Sequence, residues 1–176
     1  ASKVASNEQM EARRQRLLAQ AYQTLDRYEE ARQAYERVLR VMPNDLFALT
    51  NLAYLLVDNL NRPADAMPLA ERAVKHAGNN DLQRANVDDT LGWVQFKNGQ
   101  TREAIETLTR SVRRYPMVAN RIHLARVYLA EDRALAAREQ LVRARELAER
   151  DKRTDQLKEI DALLEALDGA AASVER

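Results

Sequence analysis

Apolar residues return every three or four positions along most of the chain, with polar residues between them. That is the pattern of amphipathic helices rather than strands. The stripe Leu17, Leu18, Ala21 and Tyr22 predicts a first helix from about Asn7 to Thr24, after a short frayed start at residues 1 to 6. Ala31, Tyr35, Val38 and Leu39 predict a second helix that Pro43 closes. Asp26 is placed as its N-cap, with Glu29 three residues on as in a capping box. Leu49, Leu52, Ala53 and Leu56 then share one face, Asn59 to Pro63 make a turn, and Ala66, Ala70 and Ala73 line the next helix. A longer linker is expected from Gly78 to Val87, with Asp88 and Asp89 at the positive N-terminal end of the helix that follows. That helix carries Leu91, Gly92 and Trp93; Asn98-Gly99 is a turn, and Ala104, Leu108 and Ser111 lead to Pro116. Leu124, Ala125 and Tyr128 precede a turn near Glu131-Asp132, then Ala137, Leu141 and Ala144.

Four alanines hold this plan in register: Ala31, Ala66, Ala104 and Ala137, separated by 35, 38 and 33 residues. Four positions after them stand Tyr35, Ala70, Leu108 and Leu141. Ahead of them stand the pairs Leu18-Ala19, Leu52-Ala53, Leu91-Gly92 and Leu124-Ala125. Small residues sit where helices must approach closely, and a recurrence of about 34 residues marks a stacked array of helix pairs. The expected organisation is an N-terminal extension and helix start (1–11), four repeats (about 12–45, 46–79, 80–116 and 117–150), a capping helix (151–168) and a flexible tail (169–176). Thr154 starts the cap, Leu157, Ile160, Leu163, Leu164 and Leu167 face back onto the last repeat, and Gly169 ends it.

Composition agrees with an all-α chain: of 176 residues only four are Gly and four Pro. The net charge of +1 selects neither nucleic acid nor an acidic surface. Without cysteine there is neither disulfide nor thiolate chemistry. No apolar run approaches the ~18 residues of a membrane span, and no targeting segment is visible, so cytoplasmic and periplasmic locations both stay open.

Candidate chemistry is sparse. His76 and His123 lie in different repeats without further ligands beside them, so no metal is expected, and no cofactor. His76 reads as a cation at a helix C-terminus, His123 as a core or groove polar residue. The Arg clusters at 13, 14 and 16, at 110, 113 and 114, and at 143 and 145 are interleaved with Glu, as in a solvated face with local ion pairs. Neither a phosphate loop nor a nucleophile turn is present, so the chain is not expected to be an enzyme.

The four-fold register resembles the tetratricopeptide repeat family, over about Ala12 to Ala148. The family's early aromatic is missing, with Gln15, Leu49, Asp88 and Arg121 in its place. Its mid-helix tyrosine is kept at Tyr22 and Tyr128, but Leu56 and Gln95 replace it elsewhere. The wording from Phe47 to Leu129 also resembles bacterial repeat proteins of envelope and exopolysaccharide-export systems. The resemblance implies a right-handed α-solenoid of four helix pairs plus a capping helix, whose first helices line a concave groove. Carried onto this sequence, the groove positions are Arg16, Gln20, Thr50, Asn51, Tyr54, Asp58, Asp89, Trp93, Phe96, Lys97, Ile122 and Arg126. Trp93 has two readings, a groove anchor or packing between neighbouring first helices; for Phe47 and Phe96 the core is the first choice. The implied function is a non-catalytic protein–protein interaction module that holds a partner's peptide or helix. The alternatives are a structural spacer or self-association module, and a receptor for acidic chaperone tails through Asn51 and Arg16. The expected partner is protein, not nucleic acid or membrane, with homo-oligomerisation open.

Overall fold

The computed structural model describes the backbone of residues 2–174 and the side chains of residues 7–169. It is a run of helices without strands among the described residues: α1 Ser2–Thr24, α2 Tyr28–Val41, α3 Leu46–Tyr54, α4 Pro63–His76, α5 Asp81–Lys97, α6 Thr101–Arg114, α7 Val118–Ala130, α8 Ala134–Arg150 and α9 Thr154–Val174. Helices pack in consecutive pairs, and the first helices α3, α5 and α7 also touch in sequence, so they form one layer of the stack. The register alanines Ala31, Ala66, Ala104 and Ala137 are all fully buried. At Gly92 even one methyl is too much, since a Cβ there would stand 2.6 Å from Leu108 Cγ.

Each pair turns through one residue with positive φ: Asp26, Asn61, Gly99 and Asp132, with Lys152 doing the same between α8 and α9. The following N–H closes the preceding helix, as in Arg27 N to Tyr22 O (2.8 Å), Gln100 N to Gln95 O (2.9 Å) and Arg133 N to Tyr128 O (2.9 Å). This is the C-terminal cap in which the left-handed residue frees the next amide to reach back. Asp26 therefore ends α1 instead of capping α2; α2 begins after Arg27 without a side-chain cap. Arg27 and Arg133 each lie 4.6 Å over the ring of the mid-helix tyrosine, Tyr22 and Tyr128.

The second pair is longer by one residue. Ala53 to Ala66 spans thirteen positions, where Ala19 to Ala31, Gly92 to Ala104 and Ala125 to Ala137 span twelve. The extra residue is taken up by a π-turn, Leu55–Asn59, after which Arg62 N reaches Leu56 O at 2.7 Å.

Three expected boundaries move. The segment read as a linker is the start of α5, which Asn80 caps by accepting from Gln83 N at 2.9 Å. Asp88 and Asp89 consequently lie mid-helix and buried, not at a helix N-terminus. At the chain ends, α1 already runs from Ser2, and α9 continues through Gly169 to Val174, because the flanking alanines and polar residues form helix well enough to carry one glycine. Ala1 and residues 175 and 176 of the expected tail lie outside the described residues.

Candidate functional site

The inner layer carries two adjoining features, a polar–aromatic joint and an open groove. The joint is built on Asp89 and Trp93 of α5, one helical turn apart. Asp89 Oδ2 accepts from the Tyr54 hydroxyl of α3 at 2.7 Å, and Asp89 Oδ1 pairs with His123 Nδ1 of α7 at 2.9 Å. Trp93 Nε1 donates to Asp58 of the π-turn at 2.9 Å. The His123 ring stacks on Trp93, centroids 4.5 Å apart and planes 18° off parallel. Lys97 Nζ stands 5.0 Å and the Arg126 guanidinium 6.0 Å from the Trp93 ring centre. Trp93 is only 2% exposed.

Charge in this joint is shared, not free. Burial by itself would lower the His123 pKa, but the Asp89 charge and hydrogen bond outweigh it and hold the imidazole above its ordinary value; Asp58 adds to the rise and Arg126 opposes it. Burial, then the Asp89 charge, push the Tyr54 phenol well up, so it stays a donor. On the other side of α5, Asp88 takes the fork of Arg110 (3.1 and 2.9 Å) and Arg114 at 3.1 Å. Those two arginines of the second cluster thus neutralise a buried carboxylate, a fuller role than a solvated face.

The groove opens beside the joint between α3, α5 and α7, a cavity of about 530 Å³. Its apolar surface includes Phe47 and Leu82, which are 36% and 41% exposed. Its polar surface is mostly uncharged: Thr50, Asn51, Asn80, Gln83, Asn86 and Thr90. Asn51 Nδ2 donates to Phe47 O at 2.8 Å, which ties the side chain back to its own helix. Neither Lys nor Arg lines it, and Asp89 and His123 at its floor are paired with each other.

Of the residues expected in the groove, Thr50, Asn51, Tyr54 and Asp89 line this cavity. Trp93 does not; it is packed between first helices, the second of its two readings. Phe96 is half-buried against Trp93, with ring centres 5.5 Å apart. Ile122 belongs to the buried core of α7, α8 and α9. Asp58 and Lys97 flank Trp93 and lie 3.7 Å apart. Arg126 is exposed but bridged to Glu159 of α9 at 2.8 Å. Arg16 is bound to Asp45 and lies 6.0 Å from the Phe47 ring centre, and Gln20 is exposed on α1 away from the cavity. The sequence reading missed Leu82, Asn80 and Gln83, because it took that stretch for a linker. It also missed the joint, although the signal was there: Tyr54 to Asp89 and Asp58 to Trp93 are each 35 residues apart, and Asp89 to His123 is 34. Hydrogen-bonding partners recur at the repeat spacing because stacked units bring equivalent positions together.

Among the described residues no His, Cys, Asp and Glu group is arranged to hold a metal ion, and no helix is long and apolar enough to cross a membrane. A layer of first helices with paired second helices defines a helical-repeat solenoid. Two sequence profiles described as tetratricopeptide repeat match residues 12–45 and 90–152, together more than half of the sequence, and the chain belongs to the tetratricopeptide repeat family. The unmatched stretch between them holds the π-turn and the early start of α5.

Solved structures share the fold. A MamA fragment, residue 41 to the end, from Desulfovibrio magneticus RS-1 is 22% identical, with 78% of this chain and 76% of that chain covered and a TM-score of 0.63. PilW, described as a widely conserved type IV pilus biogenesis factor, is 21% identical over 84% and 74%, also with a TM-score of 0.63. YrrB, described as a TPR protein with an unusual peptide-binding site, is 22% identical over 73% and 64%, with a TM-score of 0.56. Among curated proteins no sequence matches the chain.

Proposed function

We propose that this chain is a non-catalytic interaction module that holds an extended segment of a partner protein in the groove between α3, α5 and α7. The observation that carries this reading is the cavity itself, where exposed Phe47 and Leu82 stand beside a row of amides and hydroxyls. Amides suit a peptide backbone, and the two apolar side chains suit one or two apolar anchors of the partner. In this reading the four units run about 12–45, 46–79, 80–116 and 117–150, and α9 caps the last. The cavity has no Lys or Arg, so an acidic chaperone tail would meet no counter-charge there. Asp89 and His123 spend their hydrogen bonds on each other and on Tyr54, which leaves them to hold the groove's floor rather than to do chemistry.

The spacer reading draws on one observation, the burial of Trp93, since an aromatic joint closed on itself offers nothing to a partner. The two separate in one experiment. Peptides selected from a displayed library on the intact protein should bind it, and Leu82→Glu or Asn51→Ala should weaken the selected peptide about tenfold or more, with the melting curve unchanged. A library that yields no binder, or a binder indifferent to both substitutions, favours the spacer.

A further inference from the structure

A second cavity lies away from the groove and plays no part in the proposed function. It lies between α2 and α4 and has a volume of about 600 Å³. Leu52 and Leu56, from the intervening α3 and π-turn, are buried at its floor, and Leu39 and Leu69 form its sides. Four arginines surround it: Arg32 and Arg40 on α2, Arg62 before α4, and Arg72 on α4. Two of them are already neutralised. Arg32 is shared by Glu29 and Glu36, and Arg62 is bonded to Asp65 at 2.6 Å. Among the described residues Arg40 and Arg72 have no carboxylate partner, and the Nε of Arg72 is buried without an acceptor. Arg72 is only partly exposed, so its unpaired charge is less screened than that of an arginine on an open surface, and a carboxylate brought to the guanidinium makes a charge-assisted hydrogen bond.

We propose that this cleft binds a partner protein's short acidic–aliphatic segment, with a leucine-like side chain on the Leu52–Leu56 floor and an adjacent carboxylate between Arg40 and Arg72. Charge decides the occupant: the rim holds two cations in excess over its acids, and the floor is aliphatic, so neither a purely apolar segment nor a bare anion uses the whole cleft. The cleft shares no lining residue with the groove and is independent of it.

The test uses a fluorescein-labelled hexapeptide, Ser-Leu-Asp-Leu-Glu-Ser, and its neutral counterpart Ser-Leu-Asn-Leu-Gln-Ser, in polarisation titrations at low salt with the intact protein. The acidic peptide is expected to bind saturably and the neutral one not to bind. Arg40→Gln and Arg72→Gln should each weaken binding about tenfold, and Leu82→Glu in the groove should leave it unchanged. Arg40 is exposed, so its variant keeps the fold even if Arg72→Gln lowers the melting temperature. The proposal fails if binding does not saturate, if both arginine variants bind as well as the wild type, or if Leu82→Glu rather than the arginine variants abolishes binding. It also fails if inorganic phosphate displaces the labelled peptide as effectively as unlabelled peptide does, since the cleft would then read charge alone.

Discussion

At the residue scale the most consequential group is the Asp89 carboxylate, which holds Tyr54 from one side and His123 from the other. Since the folded His123 pKa lies above the ordinary value of 6.5, the folded state keeps a proton that the unfolded chain gives up first. The pair's contribution to stability is therefore complete below pH 6.5 and fades as pH rises through the folded pKa. The difference in melting temperature between wild type and His123→Asn should shrink from pH 6 to pH 9; a constant difference would mean that folding leaves the His123 pKa unshifted, and a growing one that the folded imidazole is held neutral. His123→Ala, which leaves a buried carboxylate short of its partner and removes the stack on Trp93, should cost about 3 kcal/mol by denaturant titration. That Asp88 and Asp89 matter was readable in the sequence, but their task was not. A pair of acids before an apolar stripe looks like a helix start, and only the Asn80 cap moves that start a full two turns upstream.

At the scale of elements, the recurring left-handed turn explains why the sequence pattern was so regular. Asp26, Asn61, Gly99 and Asp132 each stand five residues before a register alanine, so turn and close contact keep one fixed spacing. Asp, Asn and Gly tolerate that conformation at little cost. Gly92 marks a close approach between α5 and α6. Gly92→Ala should cost about 1–3 kcal/mol. The double variant Gly92→Ala with Leu108→Ala should lose less than the two single losses combined, because removing the Leu108 branch opens the space the new methyl needs. Strict additivity in denaturant titrations would show that the two helices simply move apart. The last element behaves as the expected stripe implies: Ile160 is buried, and Leu157, Leu163, Leu164 and Leu167 pack with it against α7 and α8. Deletion of residues 154–176 should bare that surface, lower the melting temperature, and produce concentration-dependent association in sedimentation velocity. A truncated chain that stays monomeric with the same midpoint would remove α9 from the role of cap.

For the whole molecule, periodicity carried the fold because a stacked array repeats one local solution. Four alanines in register, with a small residue ahead of each, were enough to define helix pairs and their order. The groove was less readable. Its lining depends on where α5 begins and on how far α3 and α7 stand from it, and neither follows from the repeat pattern within one unit. The placement of Trp93 shows the limit well: helical spacing puts it on the inner layer, but Asp58 and His123, each about one repeat away, decide that it is covered.

The Asp89 link also bears on how the array comes apart. Where each repeat meets only its neighbours, stability adds up pair by pair and opening can start at any junction. Here one carboxylate binds the helix pair before it and the helix pair after it, while the Tyr54 and His123 rings stand 5.7 Å apart across it. Loss of any one of those three pairs withdraws a partner from the other two. The middle of the chain is therefore expected to open as one block, with α1, α2 and α9 at its ends opening first.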